Sequence, residues 1–404
     1  MKKIAVILFN LGGPDKPESV KPFLFNLFND KAIIGAPGPI RWGIAKLIST
    51  RRAPVAREIY EHLGGKSPLL ELTLAQAKQL EDRLNGVTAE NIPQTEQSSL
   101  AGEARPSARE NAELDKKRGQ QTAPALSVSR SEAEANSPLR EQQASAGTKY
   151  KTFPCMRYWH PMADEVVKEV KAWGADEVLL MTLYPQFSTT TTGSSLEDWH
   201  KTAKKHKLNL PTTTIGCYPW QEDFVESHAT LLRDAYIKAS KKGTPRILFS
   251  AHGLPKKIIE KGDPYQWQVE QTTKAVIARF LEKMELGAVD HTVCYQSKVG
   301  PLEWIKPSTD DEIVRACKDG VPIILTPIAF VSEHSETLVE LDIEYREMAQ
   351  EHGCIGYERV AALGTQPNYI DALERMCRNA APGSISSDEG KRLCPPEFTQ
   401  CVCR

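Results

Sequence analysis

The sequence predicts an α/β protein of two doubly wound lobes, each a parallel β-sheet flanked by helices, with a cleft between them. Three observations carry this. Short, continuous apolar runs recur at 4–10, 150–158, 177–184, 212–217, 246–252, 291–296 and 321–327, the pattern of strands buried on both faces. Amphipathic stretches such as 162–173 and 223–242 separate them, and alternating β and α elements favour parallel sheets with right-handed crossovers. The 404 residues, 40% of them hydrophobic, suffice for two modest cores rather than one.

Along the chain, Met1-Lys2-Lys3 is followed by IAVILFNLGG. The apolar part is short, runs into Gly-Gly-Pro-Asp and lacks a small-residue cleavage site, so it reads as a buried first strand rather than a signal peptide. The strand ends in Asn10-Leu11-Gly12-Gly13-Pro14-Asp15, where two glycines allow a sharp turn or a close ligand. No G-x-G-x-x-G fingerprint is present, and a plain strand-to-helix turn accounts for the run equally well. No aromatic residue stands between Tyr60 and Tyr150, and residues 94–147 are mostly Ser, Ala, Glu, Gln and Arg without apolar periodicity. Such a stretch cannot bury enough surface to offset its ordering entropy. It is expected to be a disordered or weakly helical insertion in a surface loop, with an interdomain linker as the alternative. The first lobe is placed at 1–186, the second at 187–352, and 353–404 is read as a C-terminal helix and cysteine-rich tail returning to the first lobe.

Composition excludes several classes. With 51 basic and 52 acidic residues the net charge is -1, so the electrostatic driver of nucleic-acid binding is missing. No run approaches the ~20 apolar residues of a membrane-spanning helix. Nine cysteines are an odd count without a secretory signal, which argues for a reducing compartment and a cytoplasmic location.

In doubly wound folds ligands sit outside the carboxyl ends of strands, so motifs there carry the most weight. His252 ends the strand ILFSAH beside Gly253 and Pro255; a neutral imidazole is both a metal ligand and a base near neutral pH. After the strand VPIILTPIAF come Glu333, His334, Glu336, Glu340 and Glu344. Glutamates three, four and four apart share one helix face. Like charges so placed destabilise a solvated helix unless a cation or protons sit among them, so a cation or proton path is favoured over a plain acidic face. Arg51-Arg52, Tyr60, Arg157-Tyr158-Trp159, Tyr184 and Trp304 fall near strand ends or in loops. Aromatic walls with a few Arg donors suit a flat apolar ligand bearing carboxylates, although ordinary packing explains Trp159 and Trp304 as well.

Together these residues resemble the ferrochelatase family, which inserts Fe²⁺ into a porphyrin. The carriers are FNLGGPD at 9–15, RYWHP at 157–161, LYPQFSTTTTGSSL at 183–196, LFSAHGLP at 248–255, KGDPY at 261–265, YQSKVGPLEWIKPST at 295–309 and PIAFVSEHSETLVELDIEY at 327–345. The resemblance spans nearly the whole chain except the insertion and the last ~20 residues. It implies two Rossmann-like lobes clamping the porphyrin, with His252 and Glu336 as the catalytic and metal-site pair. Glu333, His334, Glu340 and Glu344 would form the proton or metal path behind it. Leu11, Arg52, Tyr60, Arg157, Tyr158 and Trp304 would line or steady the macrocycle. Ferrous iron is then substrate, and no redox cofactor is needed because metallation is ligand exchange. QSKVGP followed by WIKP resembles the branch that uses protoporphyrin IX rather than coproporphyrin. A chelatase for cobalt, a coproporphyrin enzyme and a non-catalytic haem-binding protein are the alternatives. Poorly soluble protoporphyrin makes peripheral contact with the inner membrane plausible, while the oligomeric state stays open.

Some ferrochelatases carry a [2Fe–2S] cluster on C-terminal cysteines, and four thiolates are the number such a cluster needs. Here Cys377, Cys394, Cys401 and Cys403 crowd the last 28 residues. The animal pattern takes one ligand from the LYPQ segment, where this chain has Thr189, so the resemblance makes Cys377 the fourth ligand. A zinc site on the same thiolates and unliganded thiols are the alternatives.

Overall fold

A computed structural model describes residues 1–87, 147–298 and 300–403. The expected insertion, apart from Gly147, lies outside the described residues. Among the described residues there are nine strands: β1 (Lys2–Asn10), β2 (Thr148–Met156), β3 (Glu177–Thr182), β4 (Thr212–Ile215), β5 (Arg246–His252), β6 (His291–Gln296), β7 (Ile323–Pro327), β8 (Tyr357–Arg359) and β9 (Ile385–Ser386). They form two sheets, ordered β2-β1-β3-β4-β9 and β6-β5-β7-β8. Every pairing is parallel, as the continuous apolar runs require.

β1 shows why. Ala5, Ile7 and Phe9 pack with Phe153, Val166 and Trp199 on one face. Val6 and Leu8 pack with Ala77 and Leu80 of helix Leu69–Leu84 on the other. Alternate side chains therefore bury on opposite sides of the sheet. Ile7 and Leu8 are fully buried, and each contributes roughly 1.5–3 kcal/mol by leaving water.

The first sheet takes in β4, beyond residue 186, and β9 of the 353–404 tail joins it. One expectation changes. The hydrophobic core is not split in two. One cluster runs from Val6 and Leu8 of the first sheet through Phe224, Val276, Tyr369 and Leu373 to Ile247, Phe249 and Ile324 of the second. Helices Glu222–Ala239, Tyr265–Met284 and Pro367–Asn379 supply the connection. Gln76 adds a polar tie: its Nε2 donates to the carbonyls of Val331 (3.2 Å) and Gly364 (2.8 Å).

Candidate active site

The second sheet positions the site. His252 is the last residue of β5 and pairs with Gln296, the last of β6. Beyond β7 the chain turns into a helix of i→i+5 type, Glu336–Glu344, a rare form concentrated at functional positions. This brings His252 Nδ1 within 3.1 Å of Glu336 Oε2. Neither side chain is sealed: His252 is 38% exposed and Glu336 29%. The Trp304 ring stands edge-on to the imidazole at 6.4 Å, and its buried Nε1 has no hydrogen-bond partner. Gly253 makes this approach feasible, because a Cβ there would lie 2.9 Å from the Gln296 carbonyl and 3.1 Å from the indole.

Behind the pair, Glu340 accepts from the Ser297 N–H (3.0 Å), the Ser297 hydroxyl (2.6 Å) and the Tyr345 hydroxyl (3.2 Å). Ser297 adopts φ 63°, a left-handed conformation unfavourable for a serine, and in it both donors serve one carboxylate. Ser250 Oγ donates to Gln296 Oε1 at 2.7 Å, and Gln296 Nε2 reaches Glu340 at 3.4 Å.

These contacts set the protonation states. Burial disfavours the His252 imidazolium, but the Glu336 charge and hydrogen bond outweigh it and raise the pKa. Burial likewise opposes the Glu336 carboxylate, yet His252 holds it below the usual carboxylate range. Burial and the neighbouring Glu336 charge push Glu340 up to about 7. Tyr60, from helix Gly38–Glu61, is buried, and burial raises its phenol to about 12.

The remaining site residues read from the sequence fall into three groups. Leu11 packs in one cluster with Tyr60 and Tyr158, and Arg52 is exposed on helix Gly38–Glu61. Arg157 and Tyr158 are tied inward: Asp30 Oδ2 accepts from the Arg157 guanidinium at 2.9 Å and the Tyr158 hydroxyl at 2.8 Å. Ser194 also donates to Asp30, so the polar ends of both residues are spent inside the protein. The glutamate row breaks as well. Glu333 precedes the helix and accepts from Arg359 (2.7 Å) and the Ala362 N–H (2.9 Å), so it does not share a face with the others. His334 is buried, its Nδ1 accepting from the Thr337 N–H at 3.3 Å; burial lowers its pKa. Glu344 is exposed.

The cysteine reading needs a correction. Cys377 is buried in the main core and does not join the tail thiols. Cys394, Cys401 and Cys403 cluster instead with Cys217, just beyond β4, and with Phe187. The neighbouring Cys394 and Cys403 thiols hold the Cys401 thiol well below the ordinary range. Cys403 is pushed up first by its neighbour Cys217, and Cys394 by its neighbour Cys401. Among the described residues no three His, Cys, Asp or Glu side chains form the cage of a single metal ion. Four buried thiols among Phe187, Trp267 and Phe398 nevertheless fit the donor set of a [2Fe–2S] cluster. The position of Cys217 at a strand's carboxyl end was the available signal.

Fold and site define a two-sheet α/β enzyme with a coupled His–Glu pair at the carboxyl edge of its second sheet. A family model described as Ferrochelatase matches residues 3–96 and 97–381. The ferrochelatase of Caulobacter vibrioides (strain NA1000 / CB15N) is 46% identical over 406 residues, covering 100% of this chain and 98% of the relative. That of Pelagibacter ubique is 44% identical over 405 residues, covering 100% and 99%. That of Wolbachia sp. subsp. Drosophila simulans is 45% identical over 379 residues, covering 94% and 99%. Among solved structures, SirB from Bacillus subtilis with Fe3+ aligns at 13% identity and TM-score 0.40, over 56% of this chain and 81% of its own. The chain belongs to the ferrochelatase family. It is a lyase that inserts ferrous iron into a porphyrin for haem synthesis.

Proposed function

We propose that the porphyrin is protoporphyrin IX and that His252 accepts the pyrrole protons as iron enters. The observation that carries this reading is the 3.1 Å contact between His252 Nδ1 and Glu336 on two half-exposed side chains. With Nδ1–H directed at the carboxylate, Nε2 is the nitrogen left to take a proton from the ring. Insertion releases two protons. The first makes an imidazolium that the Glu336 carboxylate stabilises. Glu340, poised near neutrality, takes a proton passed through the pair, which restores His252 for the second. The path is therefore short, Glu336 to Glu340, with Glu333 neutralised by Arg359.

Trp304, Leu11, Tyr60 and Arg52 line or steady the macrocycle in this reading, while Arg157 and Tyr158 support the wall from behind. A clamp that bends the ring part-way toward the metallated geometry would lower the barrier. Cys217, Cys394, Cys401 and Cys403 would hold a [2Fe–2S] cluster, which would clasp the tail to β4 and the 265–284 helix. We place the lobe boundary after β4. The reaction is placed in the cytoplasm, peripheral to the inner membrane. Exposed Ile40, Trp42, Leu47 and Val55 on helix Gly38–Glu61 support that contact. Among the described residues no helix is long and apolar enough to cross a membrane.

The test is metallation of protoporphyrin IX by Fe²⁺ or Zn²⁺, followed by decay of porphyrin fluorescence, with coproporphyrin III in parallel. Faster turnover of coproporphyrin would overturn the substrate assignment.

A further inference from the structure

Gln268 lies on helix Tyr265–Met284 and is fully buried. Its Nε2 stands 3.0 Å from Cys394 Sγ and 3.5 Å from Cys217 Sγ. Its Oε1 accepts the Phe187 N–H at 2.7 Å. The amide cannot be reversed, because a flipped side chain would set its NH₂ against the Phe187 N–H, donor facing donor. Both amide hydrogens are therefore committed to sulfur. The same helix is fixed to the 183–188 segment a second time: Thr272 Oγ1 donates to the Gln268 carbonyl at 2.9 Å and accepts from Gln186 Nε2 at 3.0 Å.

A carboxamide that donates to two sulfurs of one site has a defined consequence. Hydrogen bonds to ligand sulfur stabilise the more negative, reduced state of an iron–sulfur cluster and raise its potential. We propose that Gln268 is a positioning residue that sets the reduction potential of a cluster held by Cys217, Cys394, Cys401 and Cys403. The proposal rests on the four-sulfur reading given above. These anchors make Gln268 a fixed donor: the Phe187 N–H holds the side-chain amide, and Thr272 holds the backbone carbonyl of the same residue.

The test is redox titration of the anaerobically purified full-length chain, followed by visible absorption and low-temperature electron paramagnetic resonance. Gln268→Met removes both donors at similar size. Gln268→Glu keeps an acceptor for Phe187 but places an anion on the sulfurs. Both should retain two irons; the melting temperature should fall, because Met leaves the Phe187 N–H unpaired and Glu buries a charge, so the potential is read on the folded, iron-loaded protein. At the wild-type midpoint, the ratio of reduced to oxidised cluster should fall at least about tenfold in Gln268→Met, a shift of about 59 mV for one electron. It should fall further in Gln268→Glu. Variants that keep their irons and the wild-type potential overturn the role of Gln268 alone. Loss of the irons from both variants without loss of fold also overturns it, because Gln268 would then retain the cluster rather than tune it. Wild-type protein without iron overturns the four-sulfur reading itself and the proposal with it.

Discussion

At the carboxyl end of β2, Arg157 and Tyr158 direct their polar ends to one buried carboxylate, Asp30. At the carboxyl end of β5, His252 pairs with Glu336 beside the Trp304 ring, and both stay partly open. The two places share topology and residue chemistry. They differ in how completely the protein supplies the counter-charge. Asp30 satisfies a guanidinium, a phenol and a serine hydroxyl at once, which leaves little for a ligand to do. The His252–Glu336 pair keeps a ring nitrogen for substrate and a coupled acid, Glu340, behind it. A strand end is thus permissive for function, and an unsaturated charge network is what makes it active.

The largest effect that would break this comparison is at His252. His252→Ala should lower turnover at least about 100-fold, the low end of what a general base contributes. Porphyrin binding, read by fluorescence quenching, should persist. Turnover within about tenfold of wild type would place the base elsewhere.

The matching change at the closed end is Asp30→Ala. It should leave the Arg157 guanidinium with only the more distant Asp198 carboxylate, 3.7 Å away, and strand the buried Tyr158 hydroxyl, lowering the unfolding free energy by up to about 3 kcal/mol. Metallation by the protein that remains folded should be near normal, measured as turnover per folded molecule. If instead stability holds and porphyrin affinity collapses, the Arg157 network belongs to the binding site.

Much of this contrast is legible in the sequence. β5 and β6 were read to the residue, because both are short apolar runs with a sharp polar or Gly-Pro stop. β8 and β9 were missed because three and two residues are too short for any periodicity to register. His252 and Glu336 were visible from their places after strands. The partners that decide between open and closed sites were not. Asp30, Arg359, Ser297 and Cys217 lie far along the chain from the residues they bind, and only the packed sheets bring them together. Glu333 misled for a related reason: its spacing fits the helix, but the turn begins after it, and Arg359 captures it first.

Glu336→Gln should have an intermediate effect with a distinctive signature. Removing the carboxylate takes away the interaction that raises the His252 pKa and leaves burial, which lowers it. The active imidazole is the neutral form, so the acid limb of the pH–rate profile should move to lower pH while maximal turnover falls about tenfold or more. A limb that stays put would mean that His252 is not the group titrating. A limb that moves upward would mean that the pair does not share charge as its geometry requires.

The smallest effect belongs to Glu344, and it fixes how far the open network reaches. Glu344 ends the helix that Glu336 begins, eight positions on. Glu344 is exposed, so water damps its charge, whereas Glu340 is held by Ser297 and Tyr345 and feels Glu336 directly. Glu344→Gln should therefore leave turnover within about twofold of wild type and the pH profile unmoved. Glu340→Gln, measured beside it, should slow turnover severalfold. Equal losses at the two positions would extend the proton path to the helix end, and the boundary between open and closed charge would then lie at the surface rather than at Ser297.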